Sequence, residues 1–208
     1  MLKKLYGSWI WKYPIFKQLY FIHNWFFKKT QKWDKICKIN IWWIKWIFKT
    51  NISKSSLSKD ILIAWYYEKN ISEYVIKNLK TWDIFVDIWA NLWYYSIISS
   101  KKIWELWRVY AYEPVKENIK YLKENIRINN ISNVFLFEHG LWNKNEEINI
   151  YINPENNWND SIILEKSDGI QEKISIKRFD DIKNNIEIWK IRFIKIDVEW
   201  YEFEVMKW

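Results

Sequence analysis

Asp87 closes the apolar run IFVD, and the residues after it, IWANLWYYS, read as a tight turn running into a helix. A buried strand that ends on an acid, followed by a turn and a helix start, can do one kind of chemistry well. The free N–H groups at the helix start favour a carboxylate or phosphate, and the acid offers a fixed acceptor beside them. One strand later the run RVYAY ends on Glu113. An acid about 20 residues beyond such a loop can accept hydrogen bonds from ribose hydroxyls. The alternative for Glu113 is a solvated strand-end carboxylate. Loop and acid together, on successive strands, indicate a cofactor that contains adenosine.

The loop needs residues that turn sharply and let a ligand approach, yet positions 89 and 93 are tryptophan. The chain carries 18 Trp and only 3 Gly in 208 residues. At an average usage of about 7%, roughly fifteen glycines are expected, so the excess of one residue nearly matches the deficit of the other. We expect many of these tryptophans to stand where the working protein has glycine. The codon UGA is read as glycine in some bacterial codes and as tryptophan in others, and the Ile-, Lys- and Asn-rich background suits an A/T-rich genome. Placement agrees. Trp82 and Trp189 precede strands, Trp142 and Trp200 follow them, Trp104 and Trp107 lie between a helix and a strand, and Trp208 ends a helix. Trp42-Trp43 occupy the tip of a hairpin, where Gly-Gly is a turn signal. Read with glycines, DIFVDIWANLWYYS becomes DIFVDIGANLGYYS. Two other readings keep the tryptophans real: scattered surface aromatics, or stacking platforms for single-stranded nucleic acid or sugar.

Composition sets the outer bounds. A length of 208 residues suits one domain with a proper core and an N-terminal appendage. The net charge of +8 could mark a nucleic acid or anionic membrane partner, but A/T-driven lysine usage accounts for much of it. With Cys37 alone there is no internal disulfide, and a reducing, cytoplasmic setting fits. His23, His139 and one Cys make no metal-ligand spacing, so no metal is expected. No apolar run reaches the ~18 residues of a membrane span. The stretch YPIFKQLYFIHNWFF, broken by Lys17 and His23, reads as an amphipathic helix, packed or touching a membrane surface.

The elements that must position the acids follow from periodicity. A helix near 13–28 and a hairpin near 36–50 form an expected extension over residues 1–60. The domain of 61–208 opens with KDILIAWYYEKN and the helix ISEYVIKNLK. It then alternates: strand 83–88, helix 92–101, strand 107–112, helix 115–129, strand 133–139. Short strands EEINIYI, DSIILE and EKISIKR follow, then IRFIKIDV and a last helix, YEFEVMK. Strands alternating with helices predict an α/β fold with a parallel central sheet and ligands outside the carboxyl ends of its strands.

The dinucleotide pattern G-x-G-x-x-G is absent even with glycines restored. With glycines read in, the pattern D-x-G-x-N-x-G resembles the first motif of S-adenosylmethionine-dependent methyltransferases. DIFVDIWANLWYYS, VYAYEPVKENIKYLKENIRINN, KRFDDI and FIKIDVEWYEFEVMKW together resemble the FkbM family of methyltransferases over roughly 60–208. The literal sequence departs from that family at Trp89, Trp93, Trp107, Trp200 and Trp208. The resemblance implies a Rossmann-like class I methyltransferase fold with S-adenosyl-L-methionine as cofactor. It implies that Asp87 and Asn91, with the backbone of Trp89, Ala90 and Trp93, hold the methionine part. Glu113 would bind the ribose, Pro114 would shape the turn after it, and Glu138 and His139 would flank the adenine. Asp197 and Glu199 are the candidates to orient or deprotonate an acceptor hydroxyl, with a loop-capping role as the alternative. Glu68 is a further candidate to reach the pocket. The implied activity is O-methylation of a small molecule or sugar, with no nucleic acid partner. The alternatives are a nucleic-acid methyltransferase, against which the lack of an Asn-Pro-Pro motif counts, and a non-catalytic aromatic-rich binding module. The family's sheet has seven strands and four of the core alternation are visible, so a C-terminally truncated fragment, inactive alone, is expected.

Overall fold

In the computed structural model the described residues are 34–41, 44–51, 61, 67–103, 105–152, 170–183, 186–198 and 201–207. The helix expected near 13–28, the hairpin tip at Trp42-Trp43, the strand DSIILE and Glu199 lie outside them.

The alternation read from periodicity is present. Strands β3 (Ile84–Ile88), β4 (Val109–Tyr112), β5 (Val134–Phe137) and β9 (Ile191–Ile196) form a sheet of order β5-β4-β3-β9. Every pairing in it is parallel. The two central strands, IFVDI and VYAY, are buried along their whole length, as expected for parallel strands covered on both faces. The outer two, β5 and β9, are partly exposed.

Side-chain alternation sorts the two faces. Phe85, Val109 and Ala111 join one core cluster, with helices α1 (Lys69–Asn78), α2 (Tyr94–Lys102) and α3 (Lys116–Ile128). Ile84, Val86, Ile88, Tyr110 and Tyr112 join the other. That second cluster is closed by a three-stranded sheet of β6 (Gly140–Leu141), β8 (Ile170–Lys177) and β7 (Glu146–Ile152), with the short helices α4 (Phe179–Ile182) and α5 (Glu202–Val205). The strand expected over 133–139 therefore stops at Phe137, and the chain re-enters as β6 in a different sheet.

The hairpin of β1 (Asp34–Ile41) and β2 (Ile44–Asn51) is antiparallel throughout. Its Trp46 and Phe48 are buried in the same cluster as α2, which is why α2 is buried on nearly every side. Two asparagines four residues apart, Asn125 on α3 and Asn129 at its C-terminal cap, hold β2 in place. Asn125 Oδ1 accepts from the Lys49 N–H at 2.7 Å while its Nδ2 donates to the Lys49 carbonyl at 2.9 Å. Asn129 repeats the pair with Ile47, at 2.8 and 2.6 Å. Each side-chain amide thus stands in for a neighbouring strand. Removing either leaves a backbone N–H and C=O without their partner, at a cost of ~1–3 kcal/mol. Asn125→Ala and Asn129→Ala should each lower stability by about that amount in urea unfolding monitored by far-UV circular dichroism, with the m-value unchanged. A loss within about 0.5 kcal/mol for both would show that the hairpin is held by apolar packing alone.

Candidate functional site

The parallel register places Lys195 of β9 directly beside Asp87 of β3. Asp87 has no solvent exposure. Its side chain points to the helix face of the sheet, where the Ser96 hydroxyl of α2 donates to Oδ2 at 2.6 Å. Lys195 Nζ stands 3.6 Å from Asp87 Oδ1 and 3.2 Å from Asp197 Oδ2. It also donates to the Trp89 carbonyl at 3.0 Å, a contact between residues 106 apart in the chain. Burial pushes the Asp87 carboxyl above its ordinary range, and Lys195 opposes that push. Burial likewise pulls on the Lys195 ammonium, but Asp87 and Asp197 outweigh it and hold its pKa above the usual lysine value. One cation therefore ties together the end of β3, the loop after it and the end of β9.

The loop itself winds left-handed at alternate residues: φ is 58° at Trp89, 50° at Asn91 and 66° at Trp93. Asparagine tolerates that region; a residue with a bulky Cβ substituent costs ~1–2 kcal/mol there. The turn is closed by the Trp93 N–H on the Ala90 carbonyl at 2.7 Å and by the Ala90 N–H on the Tyr112 carbonyl of β4 at 3.0 Å.

Glu113, at the end of β4, is 1% exposed and accepts from the Asn91 N–H at 2.7 Å, the Val115 N–H at 2.9 Å and Asn118 Nδ2 at 3.2 Å. It buckles the loop onto the second strand, with the buried Pro114 between it and the Val115 N–H it accepts from. Burial lifts its pKa to about 7, with the Val115 and Asn91 N–H groups opposing.

The remaining sequence-derived candidates separate. His139 is 9% exposed, packed edge-on against Tyr112 and Phe137, and burial pushes its pKa down to about 4, so it is neutral at pH 7. Its neighbour Glu138 is half exposed and ion-paired with Lys123 of α3, in a surface groove with Lys116, Lys120 and Arg127, away from the acids of the strand ends. Glu68 precedes α1 with φ 44° and accepts from the Tyr95 hydroxyl at 2.9 Å. Tyr95 in turn lies 5.8 Å under Lys195, so its ring links Glu68 to the site. Asp197 is the accessible acid, with 40% of its side chain exposed.

Sequence reading missed Lys195, Ser96 and Tyr95. A signal for Lys195 existed: a lone cation inside the apolar strand IRFIKIDV, two residues before an acid. Among the described residues no group of three or more His, Cys, Asp or Glu is placed to hold a metal ion, and no helix is long and apolar enough to cross a membrane.

A parallel sheet whose two central strands end in buried acids, with a wound loop after the first, is a Rossmann-like α/β arrangement. The family model for the Methyltransferase FkbM domain matches residues 75–207, and the chain belongs to that family. Among solved structures it is similar to Trm5b from Pyrococcus abyssi, with 26% identity over 50% of this chain and 27% of that one and a TM-score of 0.38. It is also similar to M. jannaschii TYW2 in complex with AdoMet (22% identity, 50% and 42% coverage, TM-score 0.37). A third is precorrin-6y C5,15-methyltransferase from Geobacter metallireducens GS-15 (20% identity, 35% and 39% coverage, TM-score 0.31). This chain spans less than half the length of each of the three. No match was found among curated proteins.

Two outcomes test this electrostatic arrangement. Lys195→Met should cost ~3–5 kcal/mol by leaving buried Asp87 without its cation. The double variant with Asp87→Asn should lose less than the two single losses added, by ~1–3 kcal/mol in a urea double-mutant cycle; additivity would mean the pair is not coupled. Glu113 supplies the second. Its folded pKa of about 7 exceeds the ordinary 4.5, so between those values the folded state binds more protons than the unfolded one. Its contribution to stability is therefore greatest below about pH 4.5 and declines as pH rises through 7. Glu113→Gln should gain on the parent by up to ~3 kcal/mol across that window, and a pH-independent difference would contradict the raised pKa.

Proposed function

We propose that this domain serves methyl transfer from S-adenosyl-L-methionine to a hydroxyl oxygen of a small molecule or sugar, with Asp87 as its principal cofactor-side anchor. The observation that carries the reading is the buried carboxylate of Asp87 at the end of β3, clamped by Ser96 and Lys195 directly beneath the loop of 89–93. A carboxylate so held costs a great deal unless it is paired, and it is retained at the one strand end from which the ligand loop departs. Family membership supplies the methyl-transfer chemistry.

The acid set suits such a cofactor; the side chains of the loop do not. Trp89 is 6% exposed, and its ring reaches Gly140, just past the end of β5. It belongs to the same buried cluster as Tyr112 of β4 and Leu141 of β6. With that buried ring on it, the loop as it stands does not leave its ligand side open. On the acceptor side, Asp197 is the described residue fitted to orient a hydroxyl, since it is accessible and its other neighbour, Lys195, fixes its position. Glu199 is proposed beside it on the family pattern alone. Glu113 and His139 complete the cofactor side, Glu113 by shaping the loop and His139 as a neutral ring against Tyr112.

Calorimetric titration of S-adenosyl-L-methionine into the chain carrying Trp89→Gly and Trp93→Gly should show saturable binding. Adding Asp87→Asn should weaken it by about tenfold or more, through loss of the Lys195 clamp that sets the loop. Equal affinity with and without Asp87 would remove the anchor from this reading.

A further inference from the structure

We propose that positions 89 and 93 are glycine in the working protein, the codon at each being UGA decoded as glycine. Three independent features of the structure converge on these two residues.

The first is backbone handedness. Five described non-glycine residues have positive φ: Glu68, Trp89, Asn91, Trp93 and Asn130. Two are asparagines, which accept this region through local hydrogen bonds. Two are the tryptophans of one five-residue loop. Glycine alone takes the conformation without a steric cost.

The second is the indoles themselves. Trp89 Nε1 and Trp93 Nε1 are buried with no hydrogen-bond acceptor. A buried Trp N–H usually finds a partner, because an unmet donor in a low-dielectric interior is costly. Trp46, in β2, shares this defect but has ordinary strand backbone. Among the described residues, only at 89 and 93 do an unmet donor and a left-handed backbone coincide in a tryptophan.

The third is crowding at the strand ends. A Cβ built on Gly140 would stand 3.0 Å from Trp89 Cζ2 and 3.3 Å from Cε2. A side chain there would force the indole to give by a few tenths of an ångström, so the ring is packed tightly beside the strand ends, the region where ligands of this fold class bind. Trp93 is fully buried, its ring 4.3 Å from Phe48 of the hairpin.

The other described tryptophans behave differently, and this sharpens the assignment. Trp82 and Trp189 are exposed, Trp107 lies 4.3 Å under Lys190, and Trp142 packs on Tyr201; none has positive φ. Their backbones accept either residue. One cause nonetheless covers them all, because a reassigned codon acts at every position where it occurs, and 18 Trp against 3 Gly is the imbalance it would leave.

The methyl-donor reading says where the Trp89 ring does harm, but the identity of the two residues does not depend on that reading. Peptide mapping by mass spectrometry of the protein purified from its own cells decides the identity. Glycine at both 89 and 93 is the expected result, and tryptophan at either would overturn the proposal. Recombinant chains then test the blockage. The parent should show no saturable uptake of S-adenosyl-L-methionine, and the Trp89→Gly, Trp93→Gly chain should bind it. Equal binding by both chains would overturn the claim that the ring closes the ligand side of the loop. Glycine in the native peptide with no binding by either chain would uphold the assignment and remove the methyl-donor reading instead.

Discussion

A carboxylate with no access to water must have a cation or hydrogen bonds within reach, and at the centre of this sheet that requirement organises everything around it. Asp87 meets it with Ser96 from the following helix and Lys195 from the neighbouring strand. The first partner is local and fixes how α2 leaves the loop. The second is distant in sequence and depends on β9 lying beside β3 in one register. A slip of one residue would point Lys195 to the other face of the sheet and leave Asp87 facing an apolar side chain. The same ammonium bonds the Trp89 carbonyl and Asp197, so strand register, loop position and the exposed acid are set by a single group.

The loop of 89–93 answers to a second constraint, the alternation of handedness along its backbone. Positive φ at every other residue turns the Asn91 N–H toward Glu113 and brings the Ala90 N–H onto β4. The two strand-end acids thus divide the work: Asp87 anchors the loop from beneath, and Glu113 holds it from the side. Glu113 is held there nearly protonation-poised, with a pKa of about 7, because three donors only partly offset its burial. Backbone of this shape specifies small residues, and the tension between that requirement and two indoles is a property of the loop rather than of the fold around it.

Much of the architecture was legible in the chain. The apolar runs IFVDI and VYAY, spaced by helical segments, announce a parallel sheet, because strands covered on both faces need no polar alternation. The acids at their ends, the turn chemistry after Asp87 and the family resemblance all follow from local pattern. Other features were hidden. Glu138 and His139 are adjacent in sequence yet part company, one paired with Lys123 on the surface and one packed against Tyr112, because the strand ends between them and the chain changes sheets. The grip of Asn125 and Asn129 on the hairpin looks like ordinary helix polarity until β2 is seen running alongside.

The sequence by itself therefore determined the central alternation of strands and helices, the strand-end positions of Asp87 and Glu113, and the family, all of which rest on spacing within a few tens of residues. Tertiary structure decided that Lys195 is the cation of Asp87, that Glu113 spends its acceptors on the loop backbone, and that Asp197 is the partly exposed acid on the other side of Lys195. The reason is physical. Periodicity encodes which face of an element is apolar, but which residues meet across non-consecutive strands is set only when the sheet closes and every buried charge must find its partner.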